Sequence, residues 1–230
     1  MHAMVGQARR IALDLLFPPM CALCGRGGTM LCAPCAEALP RADGARCTRC
    51  WMPVEGARLC RHCATSPPAF ASLRAAFVMD GGARRLAHEL KYEGMTALAG
   101  PMAALMRPAL PAACDAIVPV PLHGRRERAR GYNQAAELAR HLAEASGVEL
   151  LRGAARRTRN TPPLVKTMGR AERLDVMRGA FAARPAAVEG RAVLLVDDVV
   201  TTGATLSACA EALLAAGARS VHAVTWARAD

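Results

Sequence analysis

The sequence predicts an α/β protein: an open, mostly parallel sheet with helices on both faces, preceded by a small metal-stabilised module. Three observations predict it. From residue 70 onward strand-like and helix-like segments alternate, the pattern of parallel strands joined by crossover helices. The apolar run Ala192–Val196 is followed at once by two acids, as in a strand buried on both faces. Four Cys-x-x-Cys pairs crowd residues 21–63, where little else could build a core. Aromatics are only 3% of the chain, so the main core must be Leu, Val, Ala and Met.

Ahead of the cysteines, Ile11, Leu15 and Leu16 recur at helical spacing and predict a short amphipathic helix docked on the small module. Arg9 and Arg10 precede the apolar run Ile11–Phe17, but Asp14 interrupts it and Pro18-Pro19 follows in place of a cleavage site. No run is long and apolar enough to span a membrane. Paired cysteines without a signal peptide favour metal in a reducing compartment over disulfides, so the cytoplasm is the expected location.

The knuckles are Cys21-x-x-Cys24, Cys32-x-x-Cys35, Cys47-x-x-Cys50 and Cys60-x-x-Cys63. Two intervening residues let both sulfurs of a knuckle face one ion, and two knuckles close a tetrahedral site with no open position for substrate. Bound zinc would then supply much of the folding free energy, about 10 kcal/mol or more per site. Sequential pairing makes a double zinc ribbon, with Cys21, Cys24, Cys32 and Cys35 on one ion and Cys47, Cys50, Cys60 and Cys63 on the other. A cross-braced pairing uses the same residues and stays open; disulfides or a redox dithiol are the alternative chemistry. His62 has no necessary role beside a complete thiolate set, and Cys114 and Cys209 read as buried small hydrophobes. Thr65-Ser66-Pro67-Pro68 reads as a linker, dividing the chain into 1–66 and 67–230.

In the larger part, Arg74–Met79 and Ala116–Val120 read as strands, and Ala83–Lys91 and Gln134–Ala145 as helices. After the strand at Ala192–Val196 comes Asp197-Asp198-Val199-Val200-Thr201-Thr202-Gly203-Ala204-Thr205, then a helix to Ala215 and a last strand at Val221–Thr225. Open parallel sheets bind ligands beyond the carboxyl ends of their strands. A phosphate there meets free backbone N–H groups and the positive end of a helix dipole. Gly203 permits close approach, and Thr201, Thr202 and Thr205 add hydroxyl donors. Asp197 and Asp198 would repel a phosphate; ribose hydroxyls, or Mg²⁺ held through water, are their natural partners. The loop therefore specifies both parts of a ribose 5-phosphate. A strand ending in two solvated acids before a Thr-capped helix is the plainer alternative.

Charge is unevenly spread. The formal +11 falls to about +7 once eight thiolates and two zinc ions are counted. Residues 71–230 carry 22 basic and 15 acidic side chains, but the loop-like stretches 123–130 and 152–173 hold 11 of the basic and 2 of the acidic ones. Such concentration implies an anionic ligand or partner. The histidines are isolated, and only His123 lies beside the expected site, so no general base is evident.

Four apolar residues, two acids, two apolar residues and Thr-Thr-Gly-x-Thr resemble the phosphoribosyl pyrophosphate motif of type I phosphoribosyltransferases. More of the chain resembles the ComF family of competence and DNA-uptake proteins. The resemblance rests on Leu16–Gly25, on Glu89-Leu90-Lys91-Tyr92, and on Pro119–His123 with Arg125, Arg128, Arg130, Gly131, Tyr132, Asn133 and Gln134. It implies a sheet of type I phosphoribosyltransferase type behind a double zinc ribbon, Mg²⁺–phosphoribosyl pyrophosphate as ligand, and pyrophosphate contacts from Arg125, Arg128 and Arg130. It also brings Lys91-Tyr92 near the ligand and sets Arg156 and Arg157 in a mobile loop that could close over pyrophosphate, contact a nucleic-acid backbone, or stay solvated. Leu164 and Asp175-Val176 depart from the family, whose members often carry Gln and Asn there; this weakens transfer of contacts onto 157–181.

Two functions follow. One is a working phosphoribosyltransferase whose acceptor the sequence does not identify. The other is a ribose-phosphate-binding adaptor that handles single-stranded DNA, its ribbon docking a helicase or recombination protein. Scarce aromatics argue against base stacking as that adaptor's main source of affinity.

Overall fold

The computed structural model describes residues 18–161 and 169–229. The expected helix around Ile11, Leu15 and Leu16, and the Pro162-Pro163 stretch with Leu164 and Lys166, lie outside those residues. Two short helices, α1 (Ala33–Glu37) and α2 (Arg61–Thr65), sit among the knuckles. Then come β1 (Ser72–Val78), α3 (Gly81–Tyr92), α4 (Ala99–Met106), β2 (Ala116–Pro119), α5 (Gly124–Arg130) and α6 (Gln134–Ser146). The rest is β3 (Glu149–Leu150), β4 (Ala155–Arg157), α7 (Arg170–Met177), β5 (Phe181–Ala183), α8 (Pro185–Val188), β6 (Ala192–Val200), α9 (Ala204–Ala215) and β7 (Ser220–Arg228).

Five strands form one sheet in the order β1-β7-β6-β2-β3, with every neighbouring pair parallel, as expected. Strands β4 and β5 form a separate antiparallel pair. Side chains alternate across a strand, and β6 shows the result. Val193 and Leu195 pack toward α9, with Leu206 and Leu213, whereas Leu194 and Val196 join Leu86 of α3, Met102 of α4 and Leu138 of α6 on the other face. Helix α3 buries Ala83, Leu86, Ala87 and Leu90, one stripe at helical spacing.

The knuckles do not stand apart from this sheet. Cys47, Cys50 and Cys63 are buried in the core that contains Leu73 and α9. Cys21, Leu31, Cys32 and Leu39 are buried in the opposite core, with Phe77 and Leu86. The segment between them runs along β1: the N–H of Val78 donates to Pro40 O (2.8 Å), Ala42 N–H to Ala76 O (3.2 Å) and Leu73 N–H to Arg49 O (2.8 Å). A small module with little core of its own thus borrows both cores of the sheet and covers the edge of β1.

Three expectations change. Strand β6 continues past Val196 because β7 still runs beside it, pairing Asp197 with Thr225, Val199 with Ala227 and Val200 with Arg228. Residues 124–130 are helical rather than a loop: the His123 ring accepts the Arg125 N–H (3.3 Å) at one end, and Gly131, at φ 85°, ends the helix. The stretch 152–173 contains β4 and the start of α7. Among the described residues no helix is long and apolar enough to cross a membrane.

The fully buried Trp226 indole stacks obliquely on Phe77, with centroids 4.5 Å apart, and donates to Ala83 O at 2.9 Å. Trp226→Phe is expected to lower stability by about 1–3 kcal/mol, through lost packing and the lost indole hydrogen bond. Urea unfolding followed by circular dichroism measures this; an unmoved midpoint would show that the indole contributes nothing.

Candidate functional site

The cysteines resolve the pairing. The sulfurs of Cys21, Cys24, Cys32 and Cys35 all lie within 4.8 Å of one another, and so do those of Cys47, Cys50, Cys60 and Cys63. Pairing is therefore sequential, not cross-braced. Zinc–sulfur bonds of about 2.3 Å at tetrahedral angles require sulfurs roughly 3.8 Å apart; Cys24–Cys32 is 3.7 Å and Cys50–Cys60 is 3.6 Å. Burial alone would raise the Cys21 thiol, but backbone N–H groups of Cys32, Cys24 and Leu23 outweigh it and bring it down to about 6. Burial is likewise outweighed at Cys47, where amides of Cys50, Cys60 and Arg49 bring the thiol to about 6. Cys35 is pushed up to about 12, first by the Cys32 side chain, and Cys50 to about 11 by burial. Thiolates crowded with aimed amides form a donor set that fits two structural zinc ions. His62 is exposed outside the cluster. Cys209 is fully buried and burial pushes its thiol up, which makes it a small hydrophobe.

The strand–loop–helix segment lies at the carboxyl end of β6. Gly203 caps α9 with φ 80°, and a side chain there would sit 3.6 Å from the Phe70 ring. The Ala204 N–H donates to the Thr202 hydroxyl (3.4 Å), and the next amides of the first turn have no intrahelical partner. A small pocket is lined by Asp197, Val199, Val200 and Thr201–Leu206. Arg173 donates to the Thr201 hydroxyl (3.2 Å), and Arg228 to the Thr201 carbonyl (3.0 Å).

The two acids part company. Asp197 is half-buried and lines the pocket, whereas Asp198 is buried with its Oδ2 3.0 Å from Lys91 Nζ of α3. Burial, and then the Asp198 carboxylate, push Asp197 well above the usual carboxylate range. At Asp198 burial opposes ionisation, but the Lys91 ammonium outweighs it and holds the acid low; Lys91 is raised in turn, chiefly by Asp198. Asp198 Oδ2 accepts no aligned hydrogen bond, so the pair is held by charge.

The basic residues also divide. Arg125 and Arg128 are exposed on α5, and Arg156 is exposed on β4. Arg130 instead donates to the Gln134 side chain and lies over the Tyr92 ring, 5.6 Å from its centroid. Arg157 points inward, donating to the Thr161 hydroxyl and lying 5.5 Å from the Phe181 centroid; burial, then Arg126, lowers its affinity for a proton. Arg126 anchors Thr161 O at 2.7 Å. A cleft of about 350 Å³ lies between the exit of β2 and β4, lined by Pro121, Glu127, Arg152, Arg156 and Arg157 among others. Asn133 fixes that exit, donating to Val120 O (3.0 Å) while accepting the Ala135 N–H (3.0 Å). The His123 ring is committed to capping α5 and offers no evident base.

Sequence reasoning missed Phe70 and Arg228. Only Arg228 carried a signal: the one formal charge in the last strand, placed at its end. Because the clusters share the sheet's cores, a strong chelator is expected to lower the thermal midpoint of the whole chain in one transition. Far-UV circular dichroism with metal analysis tests this; a sheet transition unmoved by metal loss would show the module to be independent.

Residues 12–64 match the double zinc ribbon domain, and residues 128–230 the phosphoribosyl transferase domain. DNA utilization protein YhgH of Escherichia coli strain K12 is 30% identical over 221 residues, covering 90% of this chain and 96% of that protein. Competence protein ComFC of Bacillus subtilis strain 168 is 28% identical over 209 residues, covering 86% of this chain and 84% of that protein. Among solved structures, glutamine phosphoribosylpyrophosphate amidotransferase from B. subtilis, complexed with ADP and GMP, shares 19% identity at a TM-score of 0.43. It is matched over 60% of this chain and 30% of its own. With YhgH aligned almost end to end and both modules accounted for, the chain belongs to the ComF family of competence and DNA-utilization proteins.

Proposed function

We propose that the Asp197–Thr205 segment binds the ribose 5-phosphate of Mg²⁺–phosphoribosyl pyrophosphate. The observation that carries this reading is a single pocket lined by Asp197, Thr201, Thr202, Gly203 and Thr205 at the start of α9, where first-turn amides lack intrahelical partners. Amides and hydroxyls at Thr202, Gly203, Ala204 and Thr205 grip the phosphate, while Asp197 accepts from the vicinal ribose hydroxyls. Asp198 acts from behind: its charge fixes Lys91, and Lys91 in turn places a positive group beside the strand end. Arg156, which lines the cleft, and the exposed Arg125 and Arg128 of α5 meet the pyrophosphate, with Arg130 and Arg157 engaged by neighbouring side chains as supports. Mg²⁺, held through water by Asp197 or by the ligand's own oxygens, supplies charge neutralisation. Transfer through an oxocarbenium-like state needs positioning and charge more than a base, so turnover with an acceptor is consistent with the absence of an evident base. We place the protein in the cytoplasm.

A second reading is favoured by the exposed Arg125, Arg128 and Arg156 and by relatives named for DNA utilization and competence. There the same site serves an adaptor that holds single-stranded DNA and meets a helicase or recombination protein through the ribbon. Calorimetry with Mg²⁺–phosphoribosyl pyrophosphate, followed by a pyrophosphate-release assay with mixed bases, separates the two: turnover selects the enzyme, binding without turnover the adaptor. In the adaptor, Arg156→Ala is expected to weaken single-strand binding and flatten its salt dependence.

Asp197→Asn is nearly isosteric and leaves the fold in place, yet is expected to weaken ligand binding ~10-fold or more. Asp198→Ala is the poorer test, because it strands the Lys91 charge. Since Asp197 titrates above the usual carboxylate range and binding uses its ionised form, wild-type affinity is expected to rise with pH through that titration and then level. Calorimetry over ~pH 5–8 checks this, with the Asn variant as control for the ligand's own phosphates; matching profiles would remove Asp197 from the site.

A further inference from the structure

We propose that Arg228 is a positioning residue that couples the second four-cysteine cluster to the phosphate loop, so that metal at Cys47, Cys50, Cys60 and Cys63 and ligand at Asp197–Thr205 stabilise each other. The coupling rests on the ribose-phosphate reading above.

Arg228 closes β7, and its backbone is pinned from both sides. Met79 N–H donates to Arg228 O (2.6 Å), and the following Ala229 N–H donates to Val200 O (2.9 Å). From this fixed point the buried guanidinium reaches two separate structures. Its Nη2 donates to Thr201 O (3.0 Å), in the phosphate loop. Its Nη1 donates to Cys50 O (2.7 Å), in the second cluster, and its Nε lies 3.1 Å from Met52 Sδ, just beyond the knuckle. The side chain is only 1% exposed. A buried cation needs compensating charge. Four thiolates around one zinc ion carry a net charge of −2, and their knuckle is hydrogen-bonded to this arginine.

A second route runs parallel to the first. Arg49, inside the Cys47–Cys50 knuckle, donates through Nε to Phe70 O (3.3 Å) and accepts the Leu73 N–H at its own carbonyl (2.8 Å). Phe70 is the ring beneath Gly203. One knuckle thus holds both the floor of the loop and, through Arg228, its Thr201 carbonyl. The first cluster packs on the opposite face of the sheet, against Phe77 and Leu86, and serves as an internal control. Loss of metal from the second cluster releases the knuckle, so the Cys50 carbonyl that holds Arg228 is free to move. The loop then loses its shape without any change at a ligand-contacting residue. By linkage, ligand must protect the second cluster by the same factor that metal there improves ligand binding.

Two measurements test this. Arg228→Lys keeps the charge but cannot bridge two carbonyls, and Arg228→Met keeps only bulk. Both are expected to weaken Mg²⁺–phosphoribosyl pyrophosphate binding ~10-fold or more in calorimetry. Affinity in either variant equal to wild type would overturn the coupling. In wild-type protein, where no variant has to fold, cysteine alkylation with chelator present is mapped by mass spectrometry. Mg²⁺–phosphoribosyl pyrophosphate is expected to slow modification of Cys47, Cys50, Cys60 and Cys63 and leave Cys21, Cys24, Cys32 and Cys35 unchanged. Equal rates at both clusters, protected or not, would overturn it. Failure of the wild-type protein to bind the ligand at all in calorimetry would instead remove the underlying ligand assignment, and the coupling with it.

Discussion

Strand β6 is paired to β2 as far as Val196 and to β7 as far as Val200. The difference in length matters. Where β2 turns away after Pro119, β6 keeps its support from β7 alone, and one side of its last residues is left open. Asp197, the threonines and the start of α9 occupy that opening. Backbone pairing with β7 therefore fixes the site more than any side-chain contact does, and Arg228 and Thr225 belong to the site's frame although neither lies in the loop.

Strand continuation also explains how the two neighbouring acids acquire different electrostatics. Had the strand stopped at Val196, Asp197 and Asp198 could have turned toward the same ligand. Along the continued strand they stay in contact with each other, the Asp198 N–H donating to Asp197 Oδ1 (2.9 Å), yet they take different partners. Asp198 becomes a buried carboxylate matched to Lys91, and Asp197 lines the pocket with its affinity for a proton raised. A buried pair of this kind contributes little net stability, but breaking it by removing one partner is costly. It orients α3 against the strand end.

Much of this was legible in the amino-acid order. The four knuckles, the alternation of strands and helices, and the Asp197–Thr205 segment stand out because each is a local pattern with a physical cause. What escaped is non-local. Nothing near residues 124–130 announces that His123 would cap a helix with its ring. Adjacent acids look equivalent until the register with β7 is known, and neighbouring Arg156 and Arg157 look alike until β4 turns one outward and one inward. The expectation that the cysteine module lacks a core was correct for its own residues; Leu31 and Leu39 find their partners in α3 and β1, far along the chain.

The covered edge of β1 has a consequence for how the chain assembles. Residues 72–78 pair with 222–228, so the strand that the cysteine module shelters has no neighbour in the sheet until the last segment arrives. A ribosome releases the module long before that. The nascent amino terminus can capture its ions early, yet the strand it covers must wait for β7 to pair on its other side.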